Sequence, residues 1–328
     1  MKFDSQARGT IAVYISFLVV IIAAVAFAGR FVLFRPWTVR THTCAVEYRD
    51  TVYLFGGRHR TGKPLFDILH ADFSAETLKR AGDMPEALMS PAAASDGIYI
   101  YYAGGYAGKT YSDRVYRYDP GSETSTVFAR LPYPAVYGAA VIGDGGLYYI
   151  GGWGGKAVRR EILRVDLKNG DVTTAAMLPV PLQYTAGCII DSSLYIIGGE
   201  DADGTVRSEV YALNLETGNI NLAGNLPAPL CRSAAAAVNR GIYLAGGWSG
   251  GISDTIYYVR PGGRGKLSII PAGRLPEPAA DLAAAACDGN VYIFGGTDTR
   301  TKRQINIVRY DPASGEAGSV LLRSFAWW

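Results

Sequence analysis

A tyrosine followed three residues later by a glycine pair occurs six times in this 328-residue chain. No other feature restricts the fold as tightly. The copies read VYLFGG, IYYAGG, LYYIGG, LYIIGG, IYLAGG and VYIFGG, with pairs beginning at Gly56, Gly104, Gly151, Gly198, Gly246 and Gly295. Their spacing stays between 47 and 49 residues. A self-similar period near 50 is the mark of a repeat architecture, in which each unit buries its faces only against its neighbours.

Each unit reads as four short strands. A small-residue strand comes first: HTCAVEY, SPAAAS, YGAAVI, TAGCII, RSAAAAV and DLAAAAC in turn. The apolar run ending in Gly-Gly is the second, and a variable loop follows. A third strand such as RVYRYDP, EILRVDL or EVYALNL leads through a turn to a fourth. The unit closes on MPEA, LPYP, LPVP, LPAP or LPEP, where proline stops strand pairing and redirects the chain. Six such sheets packed radially can bury both faces, with Ala, Gly, Ser and Cys crowded at a common axis. The repeated tyrosine is expected to fill the wider space between neighbouring blades.

These motifs resemble the kelch repeat, and the resemblance covers about residues 42–324. It implies an all-β, six-bladed kelch-type β-propeller. Two features depart from the usual repeat. The tryptophan common in the fourth strand is missing from every unit, and the arginine that often opens the first strand appears only as Arg232.

The amino terminus is of another kind. Residues 11–29 are uncharged and mainly apolar, which meets the length of about 20 residues needed to cross a bilayer. The expected layout is a tail over 1–10, one transmembrane helix over 11–34, a linker over 35–41, the propeller over 42–324 and an aromatic tail over 325–328. A cleaved signal peptide is the alternative, with Lys2 and Arg8 as its basic start and AFA ending at Ala28 as its cleavage site. With Arg30, Arg35 and Arg40 on the far side, the charge rule counted strictly slightly favours a cytoplasmic propeller. The short basic tail nevertheless favours a single-pass protein of the cell membrane with an extracytoplasmic propeller. Trp37, Trp327 and Trp328 are candidates for the membrane interface, beside a basic flank of Arg58, Arg60, Lys63, Arg300, Lys302 and Arg303 able to meet anionic lipid. Alternatively, the last two tryptophans cover the seam between blades six and one.

A site is expected where the loops after the glycine pairs and the crossovers after LP.P share one face. Two rings of residues mark it. Arg58, Tyr106, Trp153, Glu200, Trp248 and Thr297 directly follow the pairs. His42, Ser90, Tyr137, Tyr184, Arg232 and Asp281 stand 14 residues before them. Aromatic surface mixed with a few charges suits a protein segment or a sugar. The alternative for Trp153 and Trp248 is that they pack over their own glycine-rich loops.

Net charge of +3 with 19% charged residues gives no electrostatic footprint for nucleic acid. No cofactor or metal is expected. Cys44, Cys188, Cys231 and Cys287 lack metal-ligand spacing and read as core thiols. The three histidines, His42, His59 and His70, all lie in the first repeat, too few and too local for an axial copper site. The acids of GEDADG (199–204) do not extend into an EF-hand, because Glu209 falls one residue short of the bidentate-ligand position, so a solvated turn at Asp203-Gly204 is expected. GGRGKL lacks the Ser or Thr of a phosphate loop. The reading is therefore a membrane-tethered interaction module for a protein or glycan. One alternative is an exported carbohydrate isomerase or mutarotase, an activity found on some kelch propellers, using Arg232, Asp281 and Glu200. Another is an accessory subunit of a membrane protein complex.

Overall fold

The computed structural model describes residues 40–59, 61–262, 267–297 and 307–324. Six antiparallel sheets radiate from one axis, five of four strands and the first of five. The innermost strands are Cys44–Tyr48, Ala92–Ser95, Ala139–Gly143, Ala186–Ile190, Ala234–Val238 and Ala280–Cys287. Each touches the next in cyclic order, and the last returns to the first. The alanine-rich runs take this position because no larger side chains fit where six backbones converge. The all-β six-bladed propeller is as expected. No helix among the described residues is long and apolar enough to cross a membrane. The anchor over 11–34, Trp37, Trp327 and Trp328 lie outside the described residues.

The core is divided into six clusters, one per blade interface. Tyr53, Tyr101, Tyr148, Tyr195, Tyr243 and Tyr292 are all buried, each packed in the gap towards the following blade. The third-strand aspartates have a different task. Asp72, Asp119, Asp166 and Asp311 accept backbone N–H bonds from Ala75, Gly121, Lys168 and Ala313, closing the outer turn. The tyrosine before the aspartate crosses to a neighbouring blade: Tyr118 and Tyr310 donate to the carbonyls of Ala81 and Ala272.

The glycine pair joins the blades. The first glycine has φ between +54° and +67° in all six copies. A Cβ there would strike a carbonyl oxygen on the path leading into the following blade: Leu88, Ala135, Leu182, Leu230, Ala279 and, across the seam, Arg40. The second glycine donates its N–H to that same carbonyl over 2.7–2.9 Å in the first five blades. Glycine is required twice over, by conformation and by space.

The seam closes through contacts from both ends of the described chain, including a short C-terminal strand added to the sheet of blade one. Arg40 and Thr41 already belong to the ring, Thr41 pairing with Arg58. Phe73 stacks on Tyr292 with ring centroids 3.5 Å apart. Past Val320 the chain crosses to blade one, where Arg323–Ser324 pair in parallel with Thr77–Leu78.

The candidate site at the channel mouth

The two rings read from the sequence meet on the face of the glycine-pair loops. The residue after each pair forms a main-chain bridge to the residue preceding a ring position. The pairs are Arg58 with Thr41, Tyr106 with Met89, Trp153 with Val136, Glu200 with Gln183 and Trp248 with Cys231. Thr297 pairs with Ala280 in the same way. Their backbones are scaffold, and only their side chains vary.

The inner ring is more uniform still. His42, Ser90, Tyr137, Tyr184, Arg232 and Asp281 all have left-handed backbones, with φ from +54° to +62°. Such a conformation costs a non-glycine residue on the order of 1 kcal/mol or more. Hydrogen bonds between these residues offset part of it. The N–H of Ser90 donates to His42, Tyr184 to Tyr137, Arg232 to Tyr184, Asp281 to Arg232 and His42 to Asp281, over 2.7–3.4 Å. Five links of a six-membered ring of peptide groups are thus made, including the one across the seam. The link from Tyr137 to Ser90 is not.

The side chains on this ring form a continuous arc. Tyr137 and Tyr184 lie with ring centroids 4.4 Å apart. The Arg232 guanidinium covers the outer face of Tyr184 at 4.2 Å, a cation–π contact. Its Nη1 stands 3.7 Å from Asp281 Oδ1, and His42 Nε2 stands 3.7 Å from that same oxygen. His42 Nδ1 is 2.9 Å from the Thr41 hydroxyl. Below the arc is a cavity of about 190 Å³, walled by the alanines of the innermost strands with Thr43, Cys44 and Thr185.

Electrostatics hold the arc in a defined charge state. Burial pushes the Tyr184 and Tyr137 hydroxyls up, so both are neutral at ordinary pH. Burial alone would weaken the charge of Arg232, but Asp281 and then Tyr184 more than offset it and raise its pKa. The mouth therefore presents one half-exposed cation, one largely buried carboxylate and two aromatic faces.

The outer residues differ in availability. Tyr106 donates to the carbonyl of Gly108 in its own loop and packs against Tyr111 at 5.2 Å. The Arg58 guanidinium lies over Gly62 of its own loop. Glu200 accepts from the Gln183 amide at 3.0 Å, and Trp153 is half-buried. Trp248 is 38% exposed, so it does not fold away over its glycine-rich loop. Gln183 and Tyr111 were not foreseen as partners of the outer ring. The signal for Gln183 was its place one residue before the inner ring.

The acidic loop resolves differently from a simple solvated turn. Asp203 and Gly204 are exposed, but Asp201 is 5% exposed. Its carboxylate accepts the N–H groups of Asp203 and Thr205 and pairs with Arg207. Those lone pairs organise the loop itself. Among the described residues no group of three His, Cys, Asp or Glu is arranged to hold a metal ion. The four cysteines carry free thiols, all pushed up by burial.

Fold and site together define a six-bladed propeller with a polar, aromatic channel mouth. The family model described as the KLHDC2/KLHL20/DRC7 Kelch-repeats domain matches residues 147–316, from the second strand of blade three to the outer turn of blade six. The chain belongs to the kelch-repeat family. No curated protein matches it. Kelch domains generally bind proteins, which fits a protein partner here.

Proposed function

We propose that this protein is a membrane-tethered interaction module that grips another protein through the face carrying the channel mouth. One observation carries the reading. Tyr137, Tyr184, Arg232, Asp281 and His42 converge on one rim from five of six ring positions that share a single backbone conformation. Side chains so held lose little freedom on binding, which favours recognition. Exposed Trp248 on the same face supplies an aromatic anchor of the kind that dominates protein interfaces.

The tether rests on the apolar run over 11–29 within the expected anchor over 11–34. The chain joins the propeller at Arg40, whose carbonyl lies against Gly295 on this same face. That entry point favours a partner close to the membrane, with the propeller outside the cytoplasm. An accessory role beside a neighbouring membrane protein is one form of the same proposal. Protease accessibility of the propeller in intact cells tests the orientation.

The Tyr137–Tyr184 platform beside Arg232 and Asp281 also suits a sugar ring, which keeps glycan binding, or turnover of a free sugar, as the second reading. Photocrosslinking separates them. A benzophenone amino acid at Trp248 of the full-length chain in its own membrane should capture one protein of fixed mass. The same group at Ile98, 60% exposed on the opposite face, should not. Equal capture from both positions, or none from Trp248 together with saturable sugar binding that Tyr184→Ala removes, would replace the protein reading with the glycan one.

A further inference from the structure

We propose that the loops of blades one to three form a basic ridge that lies on the anionic surface of the membrane. The propeller then stands tilted, with blades one to three against the lipid and blades four and five raised. This deepens the membrane-tethered reading and rests on it.

The ridge is continuous. Its members are the loops that follow the glycine pairs, over 58–64, 106–113 and 153–160. A Cβ on Gly108 would stand 3.6 Å from the Pro64 ring, so the second loop abuts the first. One on Gly155 would stand 4.0 Å from the Tyr111 ring, which joins the third loop to the second. Lys63, Lys109 and Lys156 sit directly beside these junctions and are exposed, as is Arg160 at the end of the third loop. Like Arg58, they pair with no carboxylate among the described residues. The acids nearby are already engaged: Asp67 with Arg40, Glu86 with Arg114, Asp113 with Arg130 and Glu161 with Arg159. Blades four and five lack this excess. The loop over 200–207 has three acids and one arginine, and that over 248–254 has no lysine or arginine.

The chain's entry point says what the ridge meets. Arg40 joins blade one on this face, and ten residues separate it from the apolar run that ends at Gly29. Ten residues reach at most about 35 Å, so a bilayer holding that run lies close to the ridge. The side chains agree with this. Lysines on exposed loops are flexible point charges without a shared pocket, which suits a fluid layer of phosphate headgroups and not one fixed anion. A few of them hold a lipid surface only weakly unless a second element inserts. The ridge therefore orients a propeller that the anchor already keeps at the membrane. The tilt leaves Trp248, exposed on blade five, clear of the lipid and open to a partner.

The test places full-length protein in nanodiscs of mixed phosphatidylserine and phosphatidylcholine, or of phosphatidylcholine alone. A benzophenone amino acid replaces Thr110 on blade two or Ser249 on blade five, both exposed. Mass spectrometry after illumination counts the lipid adducts. In anionic discs they should form about tenfold more often at Thr110 than at Ser249. That excess should vanish in neutral discs, and at about 1 M salt, where screening acts within ~3 Å. The triple variant Lys63→Gln, Lys109→Gln, Lys156→Gln should lose it too, with an unchanged melting temperature. Equal lipid adducts at both positions, or an excess indifferent to lipid charge and to the lysines, would overturn the ridge and leave the tether intact. A protein adduct of fixed mass at Thr110 in the native membrane, lost in the triple variant, would overturn it as well, because an acidic partner would then occupy the ridge. Protein that fails to enter the discs would overturn ridge and tether together.

Discussion

The N–H of Gly57 donates to the carbonyl of Leu88 over 2.8 Å, and the same oxygen fills the space that a Cβ on Gly56 would need. One atom at the end of the blade's fourth strand thus fixes both glycines. Gly56→Ala should cost about 3–5 kcal/mol, because it adds left-handed strain to a main-chain clash. Ser90→Gly, at an inner-ring position with φ +54°, should stay within about 1 kcal/mol of the parent. Urea unfolding of both variants checks the contrast. Similar losses would mean that the clash is absorbed elsewhere.

Arg40 replaces, at the seam, what is leucine or alanine in the other five blades. It is 5% exposed, donates to the carbonyl of Gly56 at 3.0 Å and pairs with Asp67 at 2.6 Å. Arg40→Leu alone strands a partly buried carboxylate and should cost about 2–3 kcal/mol. Adding Asp67→Leu should recover most of that, since an apolar pair removes the need for a counter-ion. A double-mutant cycle by denaturant unfolding decides it; additive losses would show that the pair is uncoupled.

Asp201 predicts an acid-sensitive loop. Burial alone would raise its pKa, but the Thr205 N–H, the Arg207 guanidinium and the Asp203 N–H outweigh it, and the value is lowered. A lowered folded pKa means that the stabilisation is complete above the ordinary carboxylate value of about 3.9. It is lost as pH falls through the still lower folded value. Asp201→Asn should therefore be less stable by about 1–3 kcal/mol at pH 7, with the gap narrowing below about pH 4. Urea midpoints at neutral and acidic pH measure this, and a gap unchanged by pH would remove the carboxylate from the explanation.

The aromatic tail separates two roles. In protein lacking residues 1–34, removal of 325–328 should abolish binding to anionic liposomes and leave the melting temperature unchanged, if Trp327 and Trp328 rest on lipid. Arg323 already donates its N–H to Glu76 of blade one at 2.7 Å. A melting temperature lowered by several degrees would instead assign the tail to the seam.

Much of this molecule was legible in advance. The glycine pairs, the tyrosines before them and the small-residue strands each report a local demand: a left-handed backbone, a gap to fill, an axis with little room. Such demands recur with the period of the unit. The two rings could be numbered for the same reason, since a fixed offset from Gly-Gly marks one place in every blade. The closure could not be read. Arg323 and Ser324 align with the LP position by spacing, yet they pair with Thr77 and Leu78 of blade one. A seam joins residues far apart in the chain and follows no repeat.

By itself the sequence determined the number of blades, the order of strands within each and the identity of the residues at the mouth. Only the tertiary structure decided what those residues do to one another. Tyr184 stacking under Arg232, Asp281 facing both Arg232 and His42, and Trp248 standing exposed while Tyr106 folds onto its own loop depend on distances between blades. The physical reason is one of range. Backbone conformation and strand periodicity are set within a few residues, whereas the pairing of charges and rings across a channel is set by how six separate sheets come to rest against each other.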